Sequence, residues 1–541
     1  MKIQRQSINN LLIVTTFLGF TSCRSTDTDE ALKAGGIASV NVNLLGADYS
    51  DAESNARQAS VKSNISTANN GIQHYIEVLT PSSFIESELA PVTLVSNAQA
   101  SIGNTAIAAV SGSTLGTNVK FRIIAYQQAN GAYKDHKDYT IGQQGPGLLL
   151  DRSVAYYLVI YSWGTNSLPA ITSGELNNIN NAAIAYNNTN RDFLYQKVAY
   201  TAVNEKGSVS TTLRHKMSEI TVILNSVGGS MSSVSNAVLG PHYASGNISL
   251  SNGAIARTGS SSNINLSFPA GTSTSKTSST VILNADTGNS NSGVFSANVT
   301  MDGITKTVNL TNTFKINPEK QQKLVINLKK CGAYLGANQT NWKEFACQNL
   351  GATPGIDPFT PSSGNHGAKY QWGYKPSNTG VSNNRYLIAR DDQQYTGTPP
   401  TGWTNTTMPD DSWNGNIGGG ANNPCDTGYR VPTTAEWNAV LASNSIERVG
   451  SWVNSSSNYS SAVYLGTAAK PRTLMLPAAG NRYNLDGTLS HRGDTGIYWT
   501  STWGFNSGTP IADDLEFDVT TALVNRWYTR AMGYSVRCIA Q

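Results

Sequence analysis

The sequence predicts a mainly β chain, two β-sandwich domains followed by a loop-rich α+β domain. Three observations predict it. Charged residues are 13% and hydrophobics 39% of 541 residues, with 49 Gly and 55 Asn, a turn-rich composition that excludes a long-helix or coiled-coil protein. Short runs of strand formers recur between Ser/Gly/Asn clusters. Nine of the ten Trp and four of the five Cys fall after residue 330, so the chain changes character there. The 24 Tyr and 12 Phe can build cores, which excludes disorder. A formal charge of +4, two units of it from Lys2 and Arg5, is too weak a positive field for a nucleic-acid binder.

Residues 1–22 read as a signal peptide. Lys2 and Arg5 form a positive start, and Leu11–Phe20 is an apolar run too short to span a bilayer as a helix. It ends in Phe20-Thr21-Ser22-Cys23, which resembles a bacterial lipobox and implies a diacylated Cys23 as the first mature residue. Arg24 follows, not Asp, so no inner-membrane retention cue is present. Asp27, Asp29 and Glu30 resemble the acidic signal that sends some lipoproteins to the cell surface.

Residues 23–57 hold a first strand, where Val40-Asn41-Val42-Asn43-Leu44 alternates without a break. Further strands are expected at Phe121–Tyr126, Tyr156–Tyr161, Ile220–Leu224, Thr280–Leu283 and Leu324–Leu328. Polar clusters such as Ser226–Ser233 and Thr258–Asn263 are expected to separate them. This span is large for one sandwich, so it divides into 58–205 and 206–330. In 331–541, Thr433-Thr434-Ala435-Glu436 is a capping-box pattern followed by Trp437, Val440 and Leu441 at helical spacing. Gly418-Gly419-Gly420 is a loop and not a phosphate cradle, since no GK[ST] follows. Four cysteines in an exported chain suggest two disulfides and allow three pairings. Chain order favours Cys331–Cys347 as a local loop and Cys425–Cys538 as a long closure. None has metal-site spacing and the six His are scattered, so no metal and no cofactor are expected.

From Gly36 to about Leu328 the chain resembles the fimbrillin family, the subunits of type V pili. The order of several stretches carries the resemblance: the lipobox, the strand Ile37–Leu45, the polar stretch ending in Arg57, and Val119–Tyr126 (VKFRIIAY). Tyr133–Tyr139 (YKDHKDY), Leu148–Tyr161, Asp192–Tyr195 and Thr212–Ile220 (TLRHKMSEI) follow. The resemblance implies two transthyretin-like/Greek-key β-sandwich domains and assembly by strand exchange. An Arg-specific protease would cut between Arg57 and Gln58, and the first strand, with Val40, Val42 and Leu44 facing inward, would leave. The opened groove is a template for a neighbouring subunit's strand.

Residues 331–541 resemble the FISUMP family, whose fold is C-type-lectin-like. Five blocks carry it in order: Trp342 to Asn349-Leu350-Gly351, Pro424-Cys425-Asp426-Thr427-Gly428-Tyr429-Arg430-Val431-Pro432-Thr433, and Leu476-Pro477-Ala478-Ala479-Gly480-Asn481-Arg482. Arg492-Gly493 to Tyr498-Trp499-Thr500-Ser501-Thr502 and Gly533 to Cys538 complete them. Most of these residues, Trp437 and Trp499 among them, are expected in the core. Cys425 and Cys538 would tie the helix region to the last strand. Calcium-dependent sugar motifs (E-P-N, W-N-D) are absent. The acidic run Asp513, Asp514, Glu516, Asp518 is expected to be a solvated strand face. Candidate ligand contacts are Arg482, Tyr483, Arg492, Trp503, Trp527 and Tyr528, because loop aromatics stack on sugars or anchor proteins. Arg492-Gly493-Asp494 is not expected to serve integrins, since its first two residues already belong to a block.

The combined expectation is a pilus tip subunit and adhesin. It starts as a lipoprotein at the outer membrane and ends at the cell surface or in the fimbrium. Only Ile539, Ala540 and Gln541 follow Cys538, so the chain is expected to accept a strand and give none. Its expected partners are other pilus subunits, as strand donors, and a host or bacterial surface glycan or protein. The alternative is a non-polymerising surface lipoprotein that keeps Cys23 and its first strand. An enzyme is not expected: the lectin-like fold is shared with formylglycine-generating oxidases, but no G-x-S-x-G or other nucleophile signature appears.

Overall fold

The computed structural model describes residues 36–49, 71–92, 113–188, 192–227, 229–301, 303–375, 386–387, 403–414, 419–467 and 472–541. The signal peptide, Cys23, the acidic cluster at 27–30, Arg57 and Gln58 lie outside the described residues. The described chain is mainly β. Every strand expected from an apolar run is present, Thr280 lying just outside its strand.

The first body is one seven-stranded sheet. Its strands are β1 (Ile37–Asp48), β4 (Lys120–Gln127), β5 (Tyr133–Thr140), β6 (Leu148–Asp151), β7 (Ala155–Ser162), β9 (Leu194–Thr201) and β10 (Lys206–His215). Their order is β5-β4-β7-β9-β10-β1-β6. The two edges meet: Lys134 Nζ of β5 donates to the Asp151 carboxylate of β6 at 2.8 and 2.9 Å. The sheet is therefore rolled. Val40, Phe121, Ile123, Leu148, Leu158, Ile160 and Leu213 fill its inside. Two stacked sheets were the expectation here, and a single rolled one is found. Its central strands are apolar on both faces, which is why Phe121–Tyr126 reads as a continuous run rather than an alternation. The outward residues Ile124, Tyr126, Val159 and Tyr161 pack on Trp163, Tyr186 and Leu250.

The second body is a two-sheet sandwich. One sheet runs β14-β11-β18-β3-β2, with β15 also on β11. Here β2 is Gln73–Thr80, β3 Ser83–Pro91, β11 Ser218–Val227, β14 Ser275–Thr277, β15 Val281–Leu283 and β18 Gln321–Lys330. The other runs β13-β12-β16-β17, with β8 on β12. Here β8 is Ala183–Asn187, β12 Met231–Ser249, β13 Ile255–Asn265, β16 Val294–Met301 and β17 Ile304–Thr311. Between them lie Ile85, Leu89, Ile220, Val222, Leu239, Phe295, Leu310, Leu324 and Ile326.

Two expectations need correction. The sheets do not follow the division at residue 205, because β2 and β3 pair into the second body, from Gln322↔Pro91 to Lys330↔Ser83. Local patterning cannot show this, since the partner strand lies more than two hundred residues away. Thr258–Asn263 is not a separator but the body of β13. That strand is an edge with both faces largely exposed, so its Ser-rich sequence mimics a loop.

The last body is α+β with short elements. Helix α1 (Thr434–Ser443) is capped as its sequence requires: Thr433 Oγ1 accepts from Glu436 N, and the Glu436 carboxylate accepts from Thr433 N at 2.8 Å. Trp437 and Val440 face the core. Disulfides join Cys331 to Cys347 and Cys425 to Cys538. The β2–β3 hairpin plugs into this body. Cys331 N donates to Ser82 O at 2.8 Å, and Cys347 N to Pro81 O at 2.6 Å. Tyr429 Oη donates to Ser82 Oγ at 2.7 Å. Phe84, fully buried, shares a core with Phe345, Trp437, Leu476 and Tyr498.

Candidate functional site

Strand β1 is inserted between β10 and β6. It runs parallel to β10, from Ser39↔Lys206 to Asp48↔Arg214, and antiparallel to β6 from Ile37↔Asp151 to Val40↔Leu148. Ala38 and Val40 are fully buried, and Val42 and Leu44 pack on the same core while remaining partly open. The inward face is the one its alternation specifies. Withdrawing β1 would leave an apolar slot with two unpaired backbone edges. At its exit, Tyr49 stacks on His215 with ring centroids 3.9 Å apart and donates to Glu219 Oε2 at 2.7 Å. Arg214 Nη1 donates to Tyr49 O at 3.1 Å.

The ligand candidates separate into two groups. Arg482 and Arg492 are fully buried, which removes both from any exposed contact surface. Arg492 Nη1 donates to Ser456 O at 2.8 Å and lies against the Tyr459 ring. The buried guanidinium also withdraws Arg492-Gly493-Asp494 from any receptor. By contrast, Tyr483 (49% exposed) and Tyr528 (38% exposed) meet across an open cleft of about 360 Å³. Asn484, Asn506, Thr509 and Thr529 line it with them, and among the described residues no charged side chain does. Trp503 stands beside Phe505, edge-on at 6.0 Å. The side chain of Trp527 lies outside the described residues.

Arg530 was missed by sequence reasoning. Its guanidinium is buried between Trp372 (4.7 Å) and Trp503 (5.1 Å) and bonds Asp410 at 2.6 Å, so it props the exposed aromatics. The available signal was an Arg within the aromatic run Arg526-Trp527-Tyr528-Thr529-Arg530.

The family-like blocks converge on structure rather than on a ligand. Arg537 donates to Asn349 Oδ1 at 2.7 Å and to the carbonyls of Ala346 and Cys347. Asn349 Nδ2 in turn donates to His366 O and Tyr498 Oη, and Tyr498 Oη donates to Pro477 O at 2.9 Å. Four blocks are thereby tied into one buried network. Among the described residues no carboxylate pairs with Arg537, and burial pulls its pKa down to about 10. Gly480 is required because its φ is +66° and a Cβ would meet Ser490 O at 2.3 Å.

The acidic run is not a solvated face. Asp513 and Asp514 are both buried, because a bulge between Ala512 and Asp514 turns successive residues inward. Asp513 accepts from Thr434 Oγ1 at 2.7 Å. Among the described residues neither oxygen of Asp514 has a hydrogen-bond partner. Burial, with Glu516 and Asp513 adding, pushes its pKa up to about 8. Among the described residues no group of three or more His, Cys, Asp or Glu could hold a metal. No helix there is long and apolar enough to cross a membrane.

No protein-family model matches the chain, and no curated protein matches it. Solved structures do. A candidate cell-adhesion protein of Parabacteroides distasonis is 6% identical, with 44% of this chain and 87% of that one covered and a TM-score of 0.29. A fimbrial assembly protein of the same species is 10% identical, covering 42% and 87%, with a TM-score of 0.26. The fimbrial anchor protein Mfa2 of Porphyromonas gingivalis is 10% identical, covering 37% and 76%, with a TM-score of 0.25. At scores of this size no residue role or partner transfers to this chain.

Proposed function

We propose that this protein is a fimbrial subunit of the cell surface, assembled by strand exchange. It is exported as a lipoprotein precursor anchored to the outer membrane through Cys23. Cleavage between Arg57 and Gln58 frees β1, and a strand from a neighbouring subunit takes its place. The single observation that carries this reading is the position of β1. It fills a slot between β10 and β6, with Ala38 and Val40 buried, and the segment leading out of it contains Arg57. An inserted strand joined to its body by a cleavable segment is the arrangement that strand exchange needs.

The last body presents the Tyr483–Tyr528 cleft to a glycan or protein on a host or bacterial surface. Its C-type-lectin-like nature and a tip position in the filament are the finer parts of the proposal. The mature N-terminus of protein sheared from cells, read by intact mass, tests the whole. A start at Gln58 supports exchange. A diacylated start at Cys23 on surface protein overturns it in favour of a monomeric surface lipoprotein.

A further inference from the structure

The slot that holds β1 is underfilled in its second half. Up to Val40 the strand is closed on both sides, by β10 and by β6. From Asn41 to Leu44 it keeps β10, from Asn41↔Ser208 to Leu44↔Thr211, but β6 has ended. Among the described residues no ladder partner replaces it there. A cavity of about 330 Å³ opens along that edge. Val42 and Leu44 line it from β1, and Phe121, Tyr139 and Ile141 line it from the far side. Asn41, Asn43, Thr140, Gln143 and Gln144 line it as well, so its lining is mixed, and the apolar groups that face one another across it among the described residues are Val42 and Leu44 on one side and Phe121, Tyr139 and Ile141 on the other. Val42 and Leu44 are accordingly the two inward positions left partly open, while Ala38 and Val40 have none of their surface exposed.

We propose that the slot is shaped for a heavier strand than β1. The strand that replaces β1, supplied by another subunit, carries bulkier apolar side chains at the positions of Val42 and Leu44. This rests on the strand-exchange reading above and adds the chemistry of the partner. The physical argument concerns direction. Any strand in the slot recovers the same ladder to β10 and β6, so backbone hydrogen bonds do not favour one strand over another. Side chains decide. Protein interiors are close-packed, and a void forfeits contacts on both of its walls. A strand that fills the cavity gains apolar burial that β1 lacks. β1 therefore acts as a stand-in. It protects the slot, and its loose fit at Val42 and Leu44 leaves exchange downhill.

The test uses the full-length protein, cut with an Arg-specific protease and then offered three labelled peptides. One copies Ile37–Asp48, the second carries Val42→Phe with Leu44→Phe, and the third carries Val42→Ile alone. The expected result is that the second binds about tenfold tighter than the first, with the third between them. Equal or weaker binding of the bulkier peptide overturns this inference and leaves exchange standing. Failure of every peptide to bind the cut protein overturns the exchange reading and this inference with it. The uncut chain separates the two: Val42→Phe with Leu44→Phe raises its melting midpoint if the cavity accepts the rings. A lowered midpoint overturns the underfilled slot on its own.

Discussion

Two segments precede the main run of sheets, and they are held in opposite ways. β1 is attached by ladders, by Ala38 and Val40 in the rolled core, and by the Tyr49 latch. The β2–β3 hairpin is attached on three sides. Its β3 pairs with β18, Ile85 and Leu89 enter the sandwich core, and Phe84 enters the core of the last body. Its tip carbonyls also accept from the backbone on both sides of the Cys331–Cys347 bridge. Arg57 lies between the two segments in sequence. A cut there separates a segment whose apolar side chains enter one core, with the Tyr49 hydroxyl bonded to Glu219 of the sandwich, from a segment whose side chains enter two cores. The difference teaches that release can be local: losing β1 opens one slot and leaves the sandwich and the last body joined.

The sharpest way to break that comparison is at Phe84. Its ring has no exposed surface and stacks on Phe359 with centroids 5.7 Å apart. Phe84→Ala is expected to cost about 4 kcal/mol, by lost burial and the cavity left behind. Nine of the ten Trp lie in 331–541, so Trp fluorescence during denaturant unfolding reads the effect in that body. Excision of β1 should leave the same transition unmoved. If excision shifts it as much as Phe84→Ala does, β1 is not a separable strand.

Asn349 comes next. Asn349→Ala removes the oxygen that receives two nitrogens of the buried Arg537 guanidinium. Leaving a buried cation without that partner should cost about 3 kcal/mol. The same fluorescence transition checks it, and a change below about 1 kcal/mol would show the network is not what fixes this body.

The last body and the first sheets also differ in how well their sequences announce them. Cys425, Gly480, Trp499 and Arg537 are legible because irregular backbone needs specific residues at specific places, and those residues lie in fixed blocks. Alternation in Val40–Leu44 and the capping box at Thr433 were legible for the same local reason. The placement of β2 and β3 was not, because strand pairing is non-local and the hairpin's sequence carries no record of β18. The polar edge β13 read as a loop because Thr258–Asn263 are exposed on both faces. In the cleft, Tyr483 and Tyr528 were found as exposed aromatics. Arg482 and Arg492 were mistaken for contacts because a buried, carbonyl-bound Arg looks in sequence like an exposed one.

A smaller effect belongs to Asp514 and asks whether pH can loosen the last body. Its folded pKa, about 8, stands above the ordinary carboxylate value near 4. The folded state therefore holds a proton that the unfolded state gives up. The stability this contributes is complete below about pH 4 and is lost progressively as pH rises to about 8. Unfolding monitored by Trp fluorescence should show this body about 2 kcal/mol weaker at pH 8 than at pH 6. Asp514→Asn should flatten that dependence and stabilise most at the alkaline end. An unchanged slope in the variant would mean that another group sets it.

The smallest expected effect sits on Tyr49, at the end of β1. Tyr49 directly follows β1, and its hydroxyl bonds Glu219 in β11, a strand of the neighbouring sandwich. Glu219 also receives Gln321 Nε2 at 2.8 Å, so it keeps one partner when the tyrosine hydroxyl is removed. Tyr49→Phe retains the ring stacked on His215 and deletes one hydrogen bond to a charged group, a loss of about 1 kcal/mol. If β1 leaves as a unit after cleavage, that loss should appear as roughly fivefold faster release of the cut strand, followed with a fluorophore on β1. The fluorescence midpoint of 331–541 should not move. Release unaffected by Tyr49→Phe would mean that the exit is not the point where β1 detaches, and the barrier would then lie at the buried end, with Ala38 and Val40.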